Sequence, residues 1–342
     1  MSLDFVIYGA GGIGGVIGAK LQLDGYPTTF IARGDHGDAM RSSGLRLITP
    51  TRSHQLSVDV AFHPTEIGFS KNSVVLMCMK SQHMLAALED LSRCPGSEAA
   101  TIVCAQNGVA NEDLALRYFP NVLGCVVNLP AMFLTPGEVV SYASSPDRET
   151  LPQISGILDV GVIGSATARQ EDVTKAVSDA LGSCGFSSQV QPAIMRWKYA
   201  KLLLNLLNIL QACLSDFDNS LPLRRLIRRE ALDCFAAAEI DCATKEQGQA
   251  RATTDSGKPL YVMQDVQGFE RTAGSSWQSL RRGTGDIETE YLNGEICRLG
   301  RLHGIATPAN DACVQMARQT INQNLGPGAF SAAQLLAMLG SN

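Results

Sequence analysis

The chain contains 342 residues, of which 45% are hydrophobic and 18% are charged. This length exceeds what one hydrophobic core usually organises, so we expect two domains. The composition is that of an ordinary globular protein and leaves little room for a long disordered tail. The formal net charge of -5 is not that of a nucleic-acid-binding protein with a clustered basic face, so no nucleic-acid partner is expected. Anionic ligands would depend on local positive charges.

Cysteines, histidines and apolar runs bear on location and cofactors. The ten cysteines fall in apolar stretches without ordered spacing, which predicts reduced core thiols, and the five histidines show no spacing typical of metal ligands. No charged segment followed by a cleavable apolar run opens the chain, and the most apolar stretch, residues 202–214, is too short to cross a bilayer. We therefore expect a cytoplasmic protein with no metal and no membrane partner.

The first predicted elements are a strand, a glycine-rich turn and a helix. An apolar run at residues 4–8 is followed by the pattern GxGxxG and by a helix-like segment through Leu23. In such a turn the first glycine permits the tight bend, the second lets backbone approach a pyrophosphate, and the third allows helix and strand to pack closely. Glycine-rich turns also recur for conformational reasons alone. The strand-turn-helix context favours a dinucleotide site formed by Gly9, Gly11, Gly12, Ile13 and Gly14.

The second predicted strand, residues 28–32, ends at Arg33. An NAD-specific site would place an acid there, against the ribose 2'-hydroxyl. A guanidinium cannot accept that hydrogen bond, but its planar fork suits a 2'-phosphate. The sequence therefore predicts NADP as the cofactor, the alternative being an ordinary solvated arginine.

Further strands are predicted at residues 73–79, 101–105 and 123–128, with helices between them. This alternation indicates an α/β fold with a mostly parallel sheet, so residues 1–190 are predicted to form a doubly wound, Rossmann-type domain. Lys80 and Asn107 each follow a strand, at the edge where open α/β sheets bind ligands. A surface lysine and an Asn-Gly turn are the alternatives.

Residues 191–342 change to helical periodicity and are predicted to form an all-α domain. Lys201, Asn205 and Asn208 are spaced i, i+4 and i+7, which places them on one face of a leucine-rich helix. Such a polar stripe costs free energy when buried unless it meets a ligand, water or another polar element. The alternative is a ladder of hydrogen bonds between helices.

A second polar cluster, residues 275–294, indicates a loop entering a helix. It contains Ser276 and three acids, Asp286, Glu288 and Glu290. Acids at this position could simply favour the positive end of a helix dipole.

Taken together, these motifs resemble the ketopantoate reductase family over essentially the whole chain. The resemblance lies in the glycine turn, Lys80, Asn107-Gly108, the Trp197-led helix with Lys201-x-x-x-Asn205, and Ser276 before Glu288-x-Glu290-Tyr291-Leu292-Asn293-Gly294. It implies an oxidoreductase that reduces ketopantoate, a small 2-oxo acid, to pantoate with NADPH, a step of pantothenate and coenzyme A biosynthesis.

The resemblance also implies roles for individual residues. Lys201 would be the catalytic lysine and Glu288 its carboxylate partner. A cationic ammonium can stabilise the alkoxide that develops on a reduced ketone and deliver its proton. The remaining implied positions are Asn205, Asn208, Ser276 and Asn107 for substrate, and Lys80 and Asn107 for cofactor.

The sequence departs from the family pattern in three places, one of which is the second asparagine: Asn208 follows Asn205 by three residues, where family members usually have four. Family members usually place the lysine two residues after the tryptophan, whereas Lys198 and Lys201 lie one and four residues after Trp197, so Lys198 stays a competing proton donor. Residues 242–273 also exceed the family's usual length and are predicted to form a lid or a specificity loop. Two other functions stay open, a reductase of a different 2-oxo acid and a non-catalytic NADP-binding sensor. A homodimer is expected from the apolar helical half.

Overall fold

The computed structural model of the chain describes residues 2–146, 153–270 and 274–339. It divides into two compact units. The first comprises Met1–Gln106, Asn111–Met195 and Lys245–Arg271, and the second comprises Asn107–Ala110, Arg196–Thr244 and Thr272–Asn342. The main crossing between units, at Met195, lies close to the boundary expected near residue 190. Lys245–Arg271 differs from the expectation, because it belongs to the first unit rather than to the helical one.

Short strands occur in the first unit. In chain order they are β1 (Asp4–Tyr8), β2 (Thr28–Ile31), β3 (Leu45–Ile48), β4 (Ser53–Leu56), β5 (Asp59–Ala61), β6 (Ser73–Met77), β7 (Thr101–Cys104), β8 (Val122–Asn128), β9 (Ala131–Met132), β10 (Glu138–Ser141), β11 (Ala143–Ser144), β12 (Ile157–Val162) and β13 (Val262–Met263).

Helices occur in both units. In chain order they are α1 (Gly12–Leu23), α2 (Gly34–Ser43), α3 (Met84–Ser92), α4 (Asn111–Leu116), α5 (Ala168–Ser183), α6 (Ile194–Asn205), α7 (Asn208–Cys213), α8 (Leu221–Ala237), α9 (Lys245–Arg251), α10 (Ser275–Arg281), α11 (Asn293–His303), α12 (Pro308–Asn322) and α13 (Ala332–Leu339). None of those in the described ranges is long and apolar enough to cross a membrane.

The main sheet of the first unit has seven strands in the order β12-β8-β7-β6-β1-β2-β5. All neighbours pair in parallel except β12, which runs antiparallel to β8. The strand order reverses between β1 and β6, which is the point where doubly wound sheets bind ligands at the carboxyl ends of their strands. The predicted Rossmann-type fold is confirmed, and Gly9 and Lys80 follow the two strands at this point.

Burial explains why these segments form central strands. All five residues of β6, with the sequence SVVLM, are buried, and β7 is buried along its whole length. Continuous apolar runs of this kind fit parallel strands that are covered on both faces. A second sheet, in the order β4-β3-β10-β9, adds a feature that the sequence did not predict.

The 245–270 segment is attached to the first unit by a buried ion pair. The guanidinium of Arg251 donates two hydrogen bonds to the carboxylate of Asp159 on β12, with N–O distances of 2.8 and 2.5 Å. It also donates to the hydroxyl and the carbonyl oxygen of Ser187. In addition, β13 pairs with β11 in an antiparallel arrangement. The segment is therefore anchored at two places along its length; residues 271–273 of the predicted loop lie outside the described residues.

The second unit is helical, as predicted. Helices α8, α11 and α12 pack against one another, and α12 also packs against α7. The first turn of α12 is held by the Glu230 carboxylate of α8, which accepts from the backbone N–H groups of Ala309 and Asn310 at 2.8 and 3.0 Å. An acid at a helix N-terminus satisfies donors that have no partner within the helix.

Candidate active site

The glycine turn after β1 is fixed by close backbone packing. Gly9 adopts φ +99°, and a Cβ there would lie 2.6 Å from the backbone nitrogen of Met79. A Cβ on Gly14 would lie 2.2 Å from the carbonyl oxygen of Gly9. By contrast, no described protein atom lies within 4 Å of a Cβ built on Gly11. The turn is therefore tight on the protein side and open at Gly11, the position where a pyrophosphate approaches backbone.

A cavity of about 400 Å³ opens beside this turn. Its lining comes entirely from the first unit and consists of Tyr8, Gly9, Ala10, Gly11, Ile31, Ala32, Arg33, His36, Met79, His83 and Phe133. Burial raises the pKa of the Tyr8 hydroxyl to about 12, so the phenol stays neutral at physiological pH. Glycine backbone, apolar walls and one arginine suit the phosphates and adenosine of a dinucleotide.

The predicted cofactor residues take different positions around this cavity. Arg33 precedes α2, is exposed and lines the cavity. Gly12 and Ile13 begin α1, whose N-terminal N–H groups follow the glycine turn. Lys80 lies three residues after β6 and is half-buried. These positions fit a cofactor site at the reversal point of the sheet.

His36 is a lining residue that sequence reasoning missed. The ring is 9% exposed, and it lies 2.8 Å from the carbonyl oxygen of Ala10 and 2.9 Å from the backbone nitrogen of Gly137. It also packs against Phe133, with ring centroids 4.3 Å apart. No motif marks such a residue, because Gly137 lies 101 positions further along the chain.

In the second unit, the helix that carries the predicted polar stripe is interrupted. Helix α6 ends at Asn205 and α7 begins at Asn208, with a turn at the two leucines between them. The prediction that Lys201, Asn205 and Asn208 share one continuous helix is therefore wrong for Asn208. Lys201 and Asn205 do lie one turn apart on α6. Lys198 is 3% exposed, whereas Lys201 is half-buried.

The amide of Asn205 is notable because its Nδ2 atom is buried and has no hydrogen-bond partner among the described residues. An unsatisfied buried donor costs about 1–3 kcal/mol. A substrate oxygen would satisfy this donor, and the role of Asn205 in binding substrate stays a prediction.

Three close contacts bring the predicted segments of the second unit together. A Cβ on Gly274, which precedes α10 and the buried Ser276, would lie 3.8 Å from the Oδ1 atom of Asn208. A Cβ on Gly108, next to Asn107, would lie 3.0 Å from the carbonyl oxygen of Tyr291. Segments 107–110, 201–208 and 274–294 are thus neighbours.

The third contact is a buried chain of hydrogen bonds at the interruption between α6 and α7. The amide of Asn293 donates to the carbonyl oxygen of Leu206 at 3.2 Å and to the Oδ1 atom of Asn310 at 3.0 Å. Asn310 in turn donates to Glu230 at 2.7 Å and to the carbonyl oxygen of Ile227 at 3.1 Å. This chain, Glu230–Asn310–Asn293–Leu206, links three helices to the turn that separates Asn205 from Asn208.

The catalytic carboxylate implied by the resemblance, Glu288, is 6% exposed and precedes a 3-10 turn at Thr289–Tyr291. Glu290, two residues further on, instead accepts two hydrogen bonds from the guanidinium of Arg318. The two acids therefore have different surroundings. Within the described ranges, no group of three or more His, Cys, Asp or Glu residues could hold a metal ion.

Comparison with known proteins identifies a family and several relatives of this chain. The family pattern "Ketopantoate reductase PanE/ApbA" matches residues 5–154, and its C-terminal counterpart matches residues 193–321. A 2-dehydropantoate 2-reductase of Archaeoglobus fulgidus is 24% identical over 91% of this chain and 96% of its own length. One of Mesorhizobium japonicum is 25% identical over 93% and 97%.

Solved structures show the same fold. A PanE/ApbA family ketopantoate reductase from Ralstonia eutropha has a TM-score of 0.72 at 23% identity, over 94% of this chain and 99% of that one. A D-mandelate dehydrogenase, solved with NADH and anilino(oxo)acetate, has a TM-score of 0.75 at 19% identity over the same shares.

A doubly wound sheet with a glycine turn, followed by a helical unit, is the architecture of many nicotinamide-dependent dehydrogenases. The two family patterns cover most of the sequence. The chain belongs to the ketopantoate reductase family, whose members are oxidoreductases that act on a CH–OH group and use a nicotinamide cofactor.

Proposed function

We propose that the chain reduces 2-dehydropantoate (ketopantoate) to pantoate with NADPH, a step of pantothenate and coenzyme A biosynthesis. The observation that carries this proposal is the buried, unpartnered Nδ2 atom of Asn205, one helical turn from Lys201 on α6. An amide donor and an ammonium at this spacing suit a substrate with two neighbouring oxygen functions, such as a 2-oxo acid.

Each residue has a distinct role in the proposal. Lys201 stabilises negative charge on the ketone oxygen and donates the proton that completes the alcohol. Glu288 orients the ammonium, and Asn205, Asn208, Ser276 and Asn107 hold the substrate's oxygens. When bound in the cavity, the nicotinamide cofactor supplies the hydride for the carbonyl carbon.

The preference for NADPH is proposed from Arg33. Its guanidinium lines the cavity next to Ile31 and Ala32, where a planar fork suits a 2'-phosphate. Lys80 and Asn107 are assigned to the cofactor on the family resemblance. The likeness to a D-mandelate dehydrogenase solved with NADH makes the preference worth testing directly.

A second candidate is reduction of a different 2-oxo acid on the same scaffold. Two observations favour keeping it. The fold is as similar to a D-mandelate dehydrogenase as to ketopantoate reductases, and the anchored 245–270 segment is a feature that could alter substrate choice. Both candidates use the same cofactor cavity and the same α6 lysine.

A direct assay separates these functions. The purified chain is mixed with NADPH or NADH and, in separate reactions, with ketopantoate, benzoylformate, 2-oxoisovalerate or pyruvate, and absorbance of the reduced nicotinamide is followed. The proposal predicts the highest kcat/KM for ketopantoate with NADPH. A higher value for benzoylformate would assign the second candidate, and bound NADPH without oxidation by any 2-oxo acid would favour a non-catalytic sensor.

A homodimer and a cytoplasmic location stay predictions. Exposed leucines on α8, among them Leu221 and Leu232, are 45% and 51% accessible, which fits a helix that associates with another surface. Light scattering at several concentrations measures the mass in solution, and a monomer throughout would contradict the dimer.

A further inference from the structure

The cavity beside the glycine turn contains a buried imidazole that no proposed catalytic or cofactor role uses. His36 belongs to the first turn of α2 and faces two backbone groups from distant parts of the first unit. One is the carbonyl oxygen of Ala10, inside the glycine turn, at 2.8 Å from Nε2. The other is the N–H of Gly137, in the turn before β10, at 2.9 Å from Nδ1.

These two partners determine the protonation state of the ring. A backbone N–H can only donate, so Nδ1 must accept and carries no hydrogen. A carbonyl oxygen can only accept, so Nε2 must carry the hydrogen and donate. The contacts are therefore compatible with one form of the side chain, the neutral Nε2–H tautomer.

We propose that neutral His36 is a positioning residue for the dinucleotide site, which holds the Ala10 carbonyl so that the glycine turn keeps its cofactor-binding conformation. This inference rests on the proposed cofactor site, and it adds a residue that the GxGxxG pattern does not contain. The ring connects the glycine turn to the 133–137 segment, because Phe133 packs on it and also lines the cavity.

Protonation would break this connection. An imidazolium carries a hydrogen on Nδ1, which would face the N–H of Gly137, so two donors would oppose each other and force the ring away from Ala10 as well. Burial lowers the pKa of His36 from 6.5, so the neutral form persists at physiological pH. Affinity for the dinucleotide should then fall as the pH drops through the lowered pKa of His36.

Other charged and titratable groups lie near the ring, and the effect of their titration must be distinguished from that of His36. Tyr8, Arg33 and His83 line the same cavity. Helix α2 also carries Asp35, Asp38 and Arg41, and Glu138, which follows Gly137, is paired with Arg46 at 2.9 Å. His83 is the group to control for, since it is a second imidazole in the lining.

The first test compares three substitutions by titrating full-length protein with NADP⁺ in a calorimeter at pH 7.5. In His36→Gln the amide reaches the position of Nε2 and keeps the bond to Ala10, whereas in His36→Asn it reaches only the position of Nδ1. We expect His36→Gln to bind within about 3-fold of the original chain, and His36→Asn and His36→Ala to bind about 10-fold more weakly. A purely structural role would not separate the glutamine and asparagine variants.

The second test measures the same affinity between pH 5.5 and 7.5. Dividing the dissociation constant of the original chain by that of His36→Gln at each pH removes the titration of the cofactor's own phosphate. The ratio should rise towards low pH, and the matched variant His83→Gln should keep the low-pH loss of affinity. His303→Gln, an exposed imidazole at the end of α11, should behave like the original chain.

The outcomes are distinct. Equal affinities of His36→Gln, His36→Asn and the original chain, with a flat pH ratio, would overturn the role of His36 while leaving the cofactor site intact. Absence of NADP⁺ and NAD⁺ binding to the original chain would overturn the proposed cofactor site itself. Thermal unfolding of each variant shows whether it is folded, and a misfolded His36→Asn leaves the pH ratio of His36→Gln as the deciding result.

Discussion

The glycine turn in the first unit and the α6–α7 interruption in the second both carry proposed site residues, but the two bends are held in different ways. The turn is held by close backbone packing, since a Cβ built on Gly14 would lie only 2.2 Å from the carbonyl oxygen of Gly9. The interruption is held by polar side chains, since Asn293 donates to the Leu206 carbonyl oxygen and is itself tied to Asn310. One bend is set by steric exclusion and the other by hydrogen bonds.

This difference has a consequence for substitutions. In the glycine turn, an added methyl group acts through clash or through blocking a ligand. At the interruption, a removed amide acts by leaving buried acceptors without donors, at a cost of about 1–3 kcal/mol each.

The largest effect on stability is expected at the Arg251–Asp159 ion pair that anchors the 245–270 segment. Here the first unit, like the α6–α7 interruption, is held by polar side chains. Arg251→Met leaves the Asp159 carboxylate, 1% exposed, without its guanidinium. Removing one partner of a buried ion pair costs about 3–5 kcal/mol, so we expect this loss in the free energy of unfolding measured with urea. Arg169→Met, which removes an exposed guanidinium, should change the free energy of unfolding by less than about 1 kcal/mol. Equal losses in both variants would contradict the anchor.

The next effect tests the steric side of the contrast. Gly11→Ala adds a methyl group that meets no described protein atom within 4 Å, so the melting temperature should stay unchanged. The same methyl group would occupy the place of the pyrophosphate, and NADP⁺ affinity should fall about 100-fold. Gly68→Ala is the matched control, because a Cβ there also meets no described protein atom within 4 Å and its backbone is outside the left-handed region. Unchanged affinity in Gly11→Ala would remove the glycine turn from the cofactor site.

The polar side of the contrast is tested by Asn293→Ala. This substitution withdraws the donor from Leu206 and Asn310, so we expect the free energy of unfolding to fall by about 2 kcal/mol. We also expect kcat to fall while NADP⁺ affinity is retained, because the bend after Asn205 relaxes. Asn322→Ala, at the exposed end of α12, is the matched control. A stable, fully active Asn293→Ala would show that the hydrogen-bond chain does not hold the bend.

The smallest predicted effect concerns cofactor choice. Arg33→Ala removes the guanidinium proposed to meet the 2'-phosphate, and this should weaken NADPH binding about 10-fold with little change for NADH. The ratio of the two dissociation constants is the measurement. A ratio that does not move would make Arg33 an ordinary solvated arginine.

The glycine turn could be predicted from sequence because its cause is local. A strand, three spaced glycines and a helix lie within residues 4–23, and the structure has them at β1 and α1. The strands after Ser73 were predicted for the same reason, since their buried apolar runs are continuous.

Other features depend on contacts between distant segments and left no local signal. His36 meets Gly137 across 101 positions, and Arg251 meets Asp159 across 92. The helix interruption after Asn205 was missed because leucines continue the helical pattern through it. The amide of Asn293, which donates to the Leu206 carbonyl oxygen at the interruption, lies 87 residues away. Family resemblance supplied the roles of Lys201 and Glu288, which spacing alone did not assign.

The most direct test of the central claim compares the two lysines of α6. Lys201→Met and Lys198→Met are each mixed with saturating NADPH and the 2-oxo acid that the original chain reduces fastest, and a single turnover is followed by stopped-flow absorbance. The account predicts that Lys201→Met slows reduction by about 1,000-fold with NADPH affinity unchanged, because the proton donor is lost, while Lys198→Met slows it by less than about 10-fold. Fast reduction by Lys201→Met, or the larger loss in Lys198→Met, would contradict the assignment of Lys201 as the catalytic residue.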